Sequence, residues 1–206
     1  MWLFFLTPIT LISFIFYYAS IGGFGDMPDL EVLENPKTNL ASEVISSDGK
    51  TLGKYYFNDN RTPVTFEELP NHLVDALIAT EDIRFYSHSG IDFKRTIGAA
   101  LKLGKDGGGS TITQQLAKLL FTGEGSRDII ERLTQKFKEY IIAVRLERHY
   151  TKDEIITQYL NLYDFGNNGD GIRSAARIYF GKEPIDLDIN ESAILVGMLK
   201  NSSLYN

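Results

Sequence analysis

Cysteine is absent from all 206 residues, which excludes a disulfide framework and a zinc-thiolate site and leaves the redox compartment open. Positive charge is also scarce. The 21 Lys and Arg stand against 27 Asp and Glu, for a net charge of −6, so the chain lacks the basic balance of a general nucleic-acid binder. A third absence is local: no charged side chain occurs before Asp26, and residues 2–21 are almost continuously apolar, diluted by Thr7, Pro8, Thr10, Ser13 and Ser20. Roughly 20 apolar residues span a bilayer as a helix, whereas the apolar region of a cleaved signal peptide runs to about 7–15. The length favours an uncleaved transmembrane anchor over residues 1–25. No Lys or Arg precedes it, so flanking charge does not orient it.

A hydrophobic share of 43% over this length fits one ordinary domain with an appendage. Residues 26–64 read as a connector, with Pro28 and Pro36, followed by a β-hairpin. In it 41–46 alternates in strand fashion, Asp48-Gly49 turns the chain, and 51–57 returns. The helical part begins at Thr65, which has Glu68 at capping-box spacing.

The most chemically loaded stretch is 79–92. Leu73, Leu77 and Ile78 form an apolar helical run that leads into Glu81 and Asp82, then Arg84, Phe85, Tyr86, His88 and Gly90. Glu81 and His88 are seven positions apart, about two turns if the helix continued, and Gly90 marks its expected end. A carboxylate at the mouth of a cleft, with apolar surface behind it, is placed as a general base needs to be. The bland alternative is a solvated Glu-Asp pair with a packing histidine. In 93–105 the only charges are Lys94, Arg95, Lys102 and Lys105, a cationic segment that beside a membrane anchor attracts phosphate head groups. The Gly107-Gly108-Gly109 run lets backbone approach a ligand closely, and Ser110 or Thr111 can cap the helix that follows. Gln114 and Lys118 share one face of it. The string lacks the Gly-Lys-Ser/Thr of a nucleotide P-loop.

Taken together, these motifs resemble those of the peptidoglycan glycosyltransferases, glycosyltransferase family 51, the glycan-polymerising domain of class A penicillin-binding proteins. Glu81, Asp82, Phe85, His88 and Gly90 match the first motif of that family. Residues 108–118 match the second, with Leu119 where Asn is usual, and Gln135, Lys136 and Glu139 match the third, with Gln where Arg is common. Residues 152–161, then Gly171, Ala175, Ala176 and 179–182, and finally 191–206 follow in the family's order. Gly98 stands where many members carry Arg; Arg95, Lys102 or Arg132 could supply a substitute charge. Along the helix of the third motif, Ile129, Ile130, Leu133, Phe137, Tyr140, Ile141 and Val144 recur at helical spacing and predict a buried stripe. Lys136 and Glu139 then share another edge.

The resemblance implies a mainly α, lysozyme-like domain of two lobes over residues 65–206, outside the cytoplasmic membrane on the periplasmic or extracellular side. It carries a small N-terminal β-hairpin and an N-terminal transmembrane helix. It implies polymerisation of lipid II onto a growing glycan strand, with inversion and release of undecaprenyl pyrophosphate. Glu81 takes the role of general base and Glu139 that of the second essential carboxylate. Lys118 and Lys136 take the pyrophosphate, while Asp82, Phe85, His88, Ser110, Thr111, Gln114 and Gln115 hold substrate. The chemistry requires no cofactor and leaves room for a divalent cation, Mg2+ or Mn2+. The lipid bilayer and cell-wall synthesis proteins are the expected partners, and nucleic acid is not one. The chain ends soon after the last motif, so it reads as a fragment of a bifunctional protein or as a single-activity polymerase. A lytic enzyme on a similar scaffold and a non-catalytic lipid II-binding module are the alternative readings.

Overall fold

A computed structural model of the chain describes residues 7, 10, 13, 14, 17, 18, 21–23, 28, 42–55, 61–101, 109–123 and 125–200. In chain order its elements are β1 (Ser42–Ile45), β2 (Thr51–Tyr55), α1 (Asn71–Glu81), α2 (Phe93–Leu101), α3 (Ile112–Ala117), α4 (Ile129–His149), α5 (Lys152–Leu162), α6 (Ile172–Phe180) and α7 (Ile189–Lys200). The described residues are thus mainly helical, with one two-stranded sheet. The expected anchor at 1–25 lies largely outside the described residues. Among those described, no helix is long and apolar enough to cross a membrane. The chain divides into two compact units, Met1–Pro36 with Ser89–His149, and Lys37–His88 with Tyr150–Asn206.

The unit built from Lys37–His88 and Tyr150–Asn206 contains the hairpin. Strands β1 and β2 pair antiparallel, with Ser42 opposite Tyr55 and Glu43 opposite Lys54. Gly49 closes the turn at φ +81, a conformation glycine adopts freely, and its N–H donates to the Ser46 carbonyl at 2.9 Å. The turn expected at Asp48-Gly49 is therefore present. Farther on, the Glu68 carboxylate accepts the Thr65 N–H at 2.8 Å, ahead of α1. Leu73 and Leu77, four apart on one face of α1, are fully buried, and α1 packs on α7. Phe85, Ile155, Ile156, Tyr159 and Leu195 complete this core. Helix α5 begins with a capping box, in which the Thr151 N–H donates to the Glu154 carboxylate at 2.7 Å and the Glu154 N–H to the Thr151 hydroxyl at 3.3 Å. Near its other end the Asn161 carboxamide pairs with both backbone groups of Val64, accepting from its N–H at 2.9 Å and donating to its carbonyl at 3.0 Å.

In the unit built from Met1–Pro36 and Ser89–His149, the six-residue α3 packs along α4. Ile112, Leu116 and Ala117 of α3 are fully enclosed, as are Ile142, Ala143 and Leu146 of α4. The expected stripe on α4 is corrected here. Ile129, Ile130 and Leu133 are 69%, 76% and 56% exposed, Phe137, Tyr140, Ile141 and Val144 are half-buried, and the face that is buried carries Glu139, Ile142, Ala143 and Leu146. Helical spacing identifies a face, but what covers that face is decided by the neighbouring element. Here α3 covers the small-residue face around Ala143.

A second correction concerns Gly90. Helix α1 ends at Glu81 with Asp82 as its C-cap, so Gly90 does not terminate it. Gly90 has φ +88, and a Cβ built there would lie 2.8 Å from the carbonyl carbon and oxygen of Ala143. Glycine is needed because backbone meets backbone at this point.

Candidate active site

Glu81 is the last residue of α1. Immediately after it the chain leaves the helix: the Asp82 N–H closes onto the Ile78 carbonyl at 3.0 Å, the Phe85 N–H onto the Asp82 carbonyl at 2.8 Å, and the Ser87 N–H onto the Arg84 carbonyl at 2.7 Å. This tight turn folds His88 back onto Asp82. The His88 Nε2 lies 3.2 and 3.1 Å from the two Asp82 carboxylate oxygens, in a pair whose side chains are 8% and 1% exposed. Phe85 is fully buried, and the Lys152 ammonium stands over its ring, 4.2 Å from the centroid. The same ammonium donates to the His88 carbonyl at 2.7 Å.

The Glu81 carboxylate makes itself felt on α5 and just beyond. Burial first, and the charge of Glu81 second, raise the Tyr159 phenol well above its ordinary value. The same two causes, with Asp164 as the third, raise the Tyr163 phenol. Both hydroxyls therefore stay protonated over the whole ordinary pH range and add no negative charge of their own. The Tyr163 hydroxyl donates to the Leu199 carbonyl at 2.8 Å.

The other unit holds a second constellation. The Lys136 ammonium donates to the Ser110 hydroxyl at 2.9 Å and forms an ion pair with Glu139, one turn along α4. Lys136 remains 39% exposed while Glu139 is 5% exposed, so the cation still reaches solvent and the carboxylate serves it from behind. Thr111 caps α3, and the Gln114 side chain reaches back to the Thr111 N–H at 3.3 Å. The Thr111 hydroxyl donates to the Gly90 carbonyl at 2.7 Å, and the Gln114 amide does so at 3.3 Å. Gln115 is half-buried and Lys118 exposed.

The sequence-predicted residues thus fall into distinct kinds. Asp82, Phe85, Thr111 and Gln114 are enclosed, at 1%, 0%, 0% and 1% exposure. That enclosure gives them internal contacts: they hold the turn after Glu81 and the start of α3. Glu81, Ser110, Gln115, Lys118 and Lys136 keep accessible surface. Gln135, expected as a lost cation, accepts the Ser126 backbone N–H at 3.1 Å. Lys152, Tyr159 and Tyr163 were not singled out from sequence. The signal for Lys152 was available: a cation in the first turn of a helix opposes the macrodipole and calls for a partner elsewhere. Among the described residues no group of three or more His, Asp or Glu is gathered to hold a metal, and Glu139 is already neutralised by Lys136.

Comparison with known proteins gives the family. The family profile described as Transglycosylase matches residues 48–206. The chain belongs to the transglycosylase family. It is therefore an enzyme domain of the peptidoglycan glycosyltransferase class, as its motifs implied. Penicillin-binding protein 1A of Pseudomonas aeruginosa is 38% identical over 185 residues, 87% of this transglycosylase chain and 22% of the relative. Penicillin-binding protein 1F of Bacillus subtilis is 41% identical over 173 residues, 82% of this chain and 23% of that protein. Penicillin-binding protein 1A of Escherichia coli is 39% identical over 185 residues, 87% of this chain and 21% of its own length. This transglycosylase chain spans between a fifth and a quarter of the length of these curated relatives.

Proposed function

We propose that this transglycosylase domain polymerises lipid II, joining its disaccharide-pentapeptide to a growing glycan strand and releasing undecaprenyl pyrophosphate. Residues 1–25 anchor it in the cytoplasmic membrane, with the catalytic domain on the outer side and a lysozyme-like arrangement of its helices. Glu81 removes the proton from the acceptor sugar's 4-hydroxyl as that oxygen attacks the donor's anomeric carbon with inversion. The pyrophosphate leaves carrying the electron pair of the broken bond. A pyrophosphate is a good leaving group, so it needs its growing charge matched more than it needs a proton. Lys136, oriented by Glu139 and Ser110, and the exposed Lys118 supply that charge.

One observation carries the assignment of the base. Glu81 stands where α1 stops, followed directly by the buried Asp82–His88 pair, and its charge is felt by two phenols, Tyr159 and Tyr163, that remain neutral. A carboxylate at the end of a helix that keeps accessible surface is within reach of a sugar hydroxyl, as a general base must be.

The experiment is polymerisation of labelled lipid II by the purified chain in detergent, wild type against Glu81→Gln, with glycan strands separated by gel. Polymer from the wild type and none from the variant supports the reading. Tight binding of lipid II with no polymer from either points instead to a binding module. Loss of preformed polymer, with no requirement for lipid II, points to a lytic enzyme.

A further inference from the structure

Lys152 opens α5, directly after its Thr151 cap. A positive charge in a first helical turn faces the positive end of the helix dipole, an arrangement that costs stability. Asp153 and Glu154, which follow it, are the residues that suit this end. The Lys152 ammonium is occupied elsewhere: it donates to the His88 carbonyl at 2.7 Å and covers the Phe85 ring at 4.2 Å. Both partners belong to the turn that starts at Glu81. The near end of that turn is fixed by the Asp82 N–H on Ile78, and its middle by the Asp82–His88 pair. Lys152 holds the exit of the turn from outside, at the His88 carbonyl, and its middle at the Phe85 ring. Two turns farther along α5, about 10 Å, Tyr159 is fully buried, so the helix that carries Lys152 is anchored in the core.

We propose that Lys152 is a positioning residue for the reaction: by clamping the His88 carbonyl and the Phe85 ring it fixes the 82–88 turn, and through it the orientation of the Glu81 carboxylate. The inference rests on Glu81 being the base. Lys152 itself touches neither sugar nor pyrophosphate in this account. Its loss leaves substrate binding intact and slows the proton-transfer step, because a reacting group displaced by about 1 Å can cost on the order of a hundredfold in rate.

The test compares wild type, Glu81→Gln, Lys152→Met and Lys152→Arg as full chains in detergent, with kcat and KM for lipid II polymerisation and the unfolding midpoint of each. Methionine keeps the stem over Phe85 and removes the donor. Arginine restores a cation that can both donate to a carbonyl and lie over a ring. The expected result is a kcat for Lys152→Met lower by about 10- to 100-fold, KM within about twofold of wild type, a folded protein at the assay temperature, and recovery of most of the loss in Lys152→Arg. A raised KM at unchanged kcat would overturn the proposal by making Lys152 a substrate contact. Wild-type kcat in Lys152→Met, with Glu81→Gln inactive, would overturn it while leaving the base assignment standing. Polymerisation by Glu81→Gln at the wild-type rate would remove both. If Lys152→Met does not fold, Lys152→Arg decides: wild-type KM and more than a tenth of wild-type kcat support the clamp, and a kcat as low as that of Glu81→Gln in a folded Lys152→Arg overturns it.

Discussion

Replacing Gly90 with alanine should destabilise the chain far more than a single methyl group would suggest, for two separable reasons. The backbone at Gly90 has φ +88, a region that costs an L-residue about 1–2 kcal/mol. The new Cβ would also stand 2.8 Å from the carbonyl carbon and oxygen of Ala143 and 3.1 Å from the Val144 nitrogen. These are backbone atoms of α4, so no side chain can swing aside, and overpacking of this kind costs about 1–3 kcal/mol. The sum is about 2–5 kcal/mol, equivalent to a fall in Tm of roughly 4–20 °C for a chain of this size. Displacement of the Gly90 carbonyl would also loosen the Thr111 and Gln114 hydrogen bonds that start α3. The control is Gly181→Ala. Gly181 has φ +66 at the end of α6, but nothing lies within 4 Å of a Cβ there, so only the conformational cost of about 1–2 kcal/mol remains. Unfolding midpoints of the two variants, in denaturant or on heating, isolate the contact with α4. Equal losses in the two would refute the close approach of Gly90 to Ala143.

Lys136 and Glu139 should behave as a coupled pair. Lys136→Met leaves a buried carboxylate without its cation and should cost about 1–3 kcal/mol, whereas Lys136→Met combined with Glu139→Leu should cost less than the sum of the single changes in a double-mutant cycle read by denaturant unfolding. At the start of α7, hydrogen bonds from backbone N–H groups, that of Glu191 foremost, hold Asp188 below its ordinary 3.8, and Lys182 holds Glu191 below its ordinary 4.5. Depressed carboxylates add stability that is fully present above those ordinary values and lost as pH falls through the lower folded-state ones. Asp188→Asn should therefore lower the unfolding midpoint at neutral pH, with the difference from wild type closing in acid; a difference that widens in acid would reverse the sign of the effect. The exposed apolar residues Ile129, Ile130 and Leu133, together with Leu119, which is 40% exposed, should favour a bilayer interface. Serine at Ile129, Ile130 and Leu133 should weaken liposome binding of a chain lacking residues 1–25 by tenfold or more at about 1 kcal/mol per side chain, with little change in thermal stability. Unchanged binding would remove that face from membrane contact.

Local chemistry was the most legible part of the chain. Asp48-Gly49 announced the hairpin because the turn needs a positive φ that glycine accepts, and Ser110-Thr111 announced a cap ahead of α3, a role that falls to Thr111. What depended on a distant partner was misread or missed. The apolar period of 129–144 located a face of α4 that is exposed at Ile129, Ile130 and Leu133 and only half-covered beyond them, while the buried face carries a glutamate paired with Lys136. Gly90 looked like a helix terminator, since nothing in its own neighbourhood reports the approach of Ala143 from more than fifty positions away. Glu81, Asp82 and His88 were all selected, yet their pattern did not foretell that α1 stops at Glu81 so that Asp82 pairs with His88 and Glu81 does not. Lys152 was passed over as the first letter of a motif, although its charge is the wrong sign for its place on α5.

The Asn161 carboxamide, bonded to both the N–H and the carbonyl of Val64, makes a side chain do what a neighbouring strand residue would do. Aspartate there would keep the acceptor and lose the donor, leucine would lose both, and either would leave a backbone group of Val64 unsatisfied. The position is therefore a fastener, demanding in its chemistry and with both functions of its carboxamide engaged by backbone. Much of the signature that identifies this chain is of that sort, as the enclosed Asp82, Phe85, Thr111 and Gln114 also illustrate. If Glu81 is the base, as proposed, a chain could keep every fastener, fold alike and be recognised alike after losing it; kinship and catalytic competence would then be written in different residues of the same motifs.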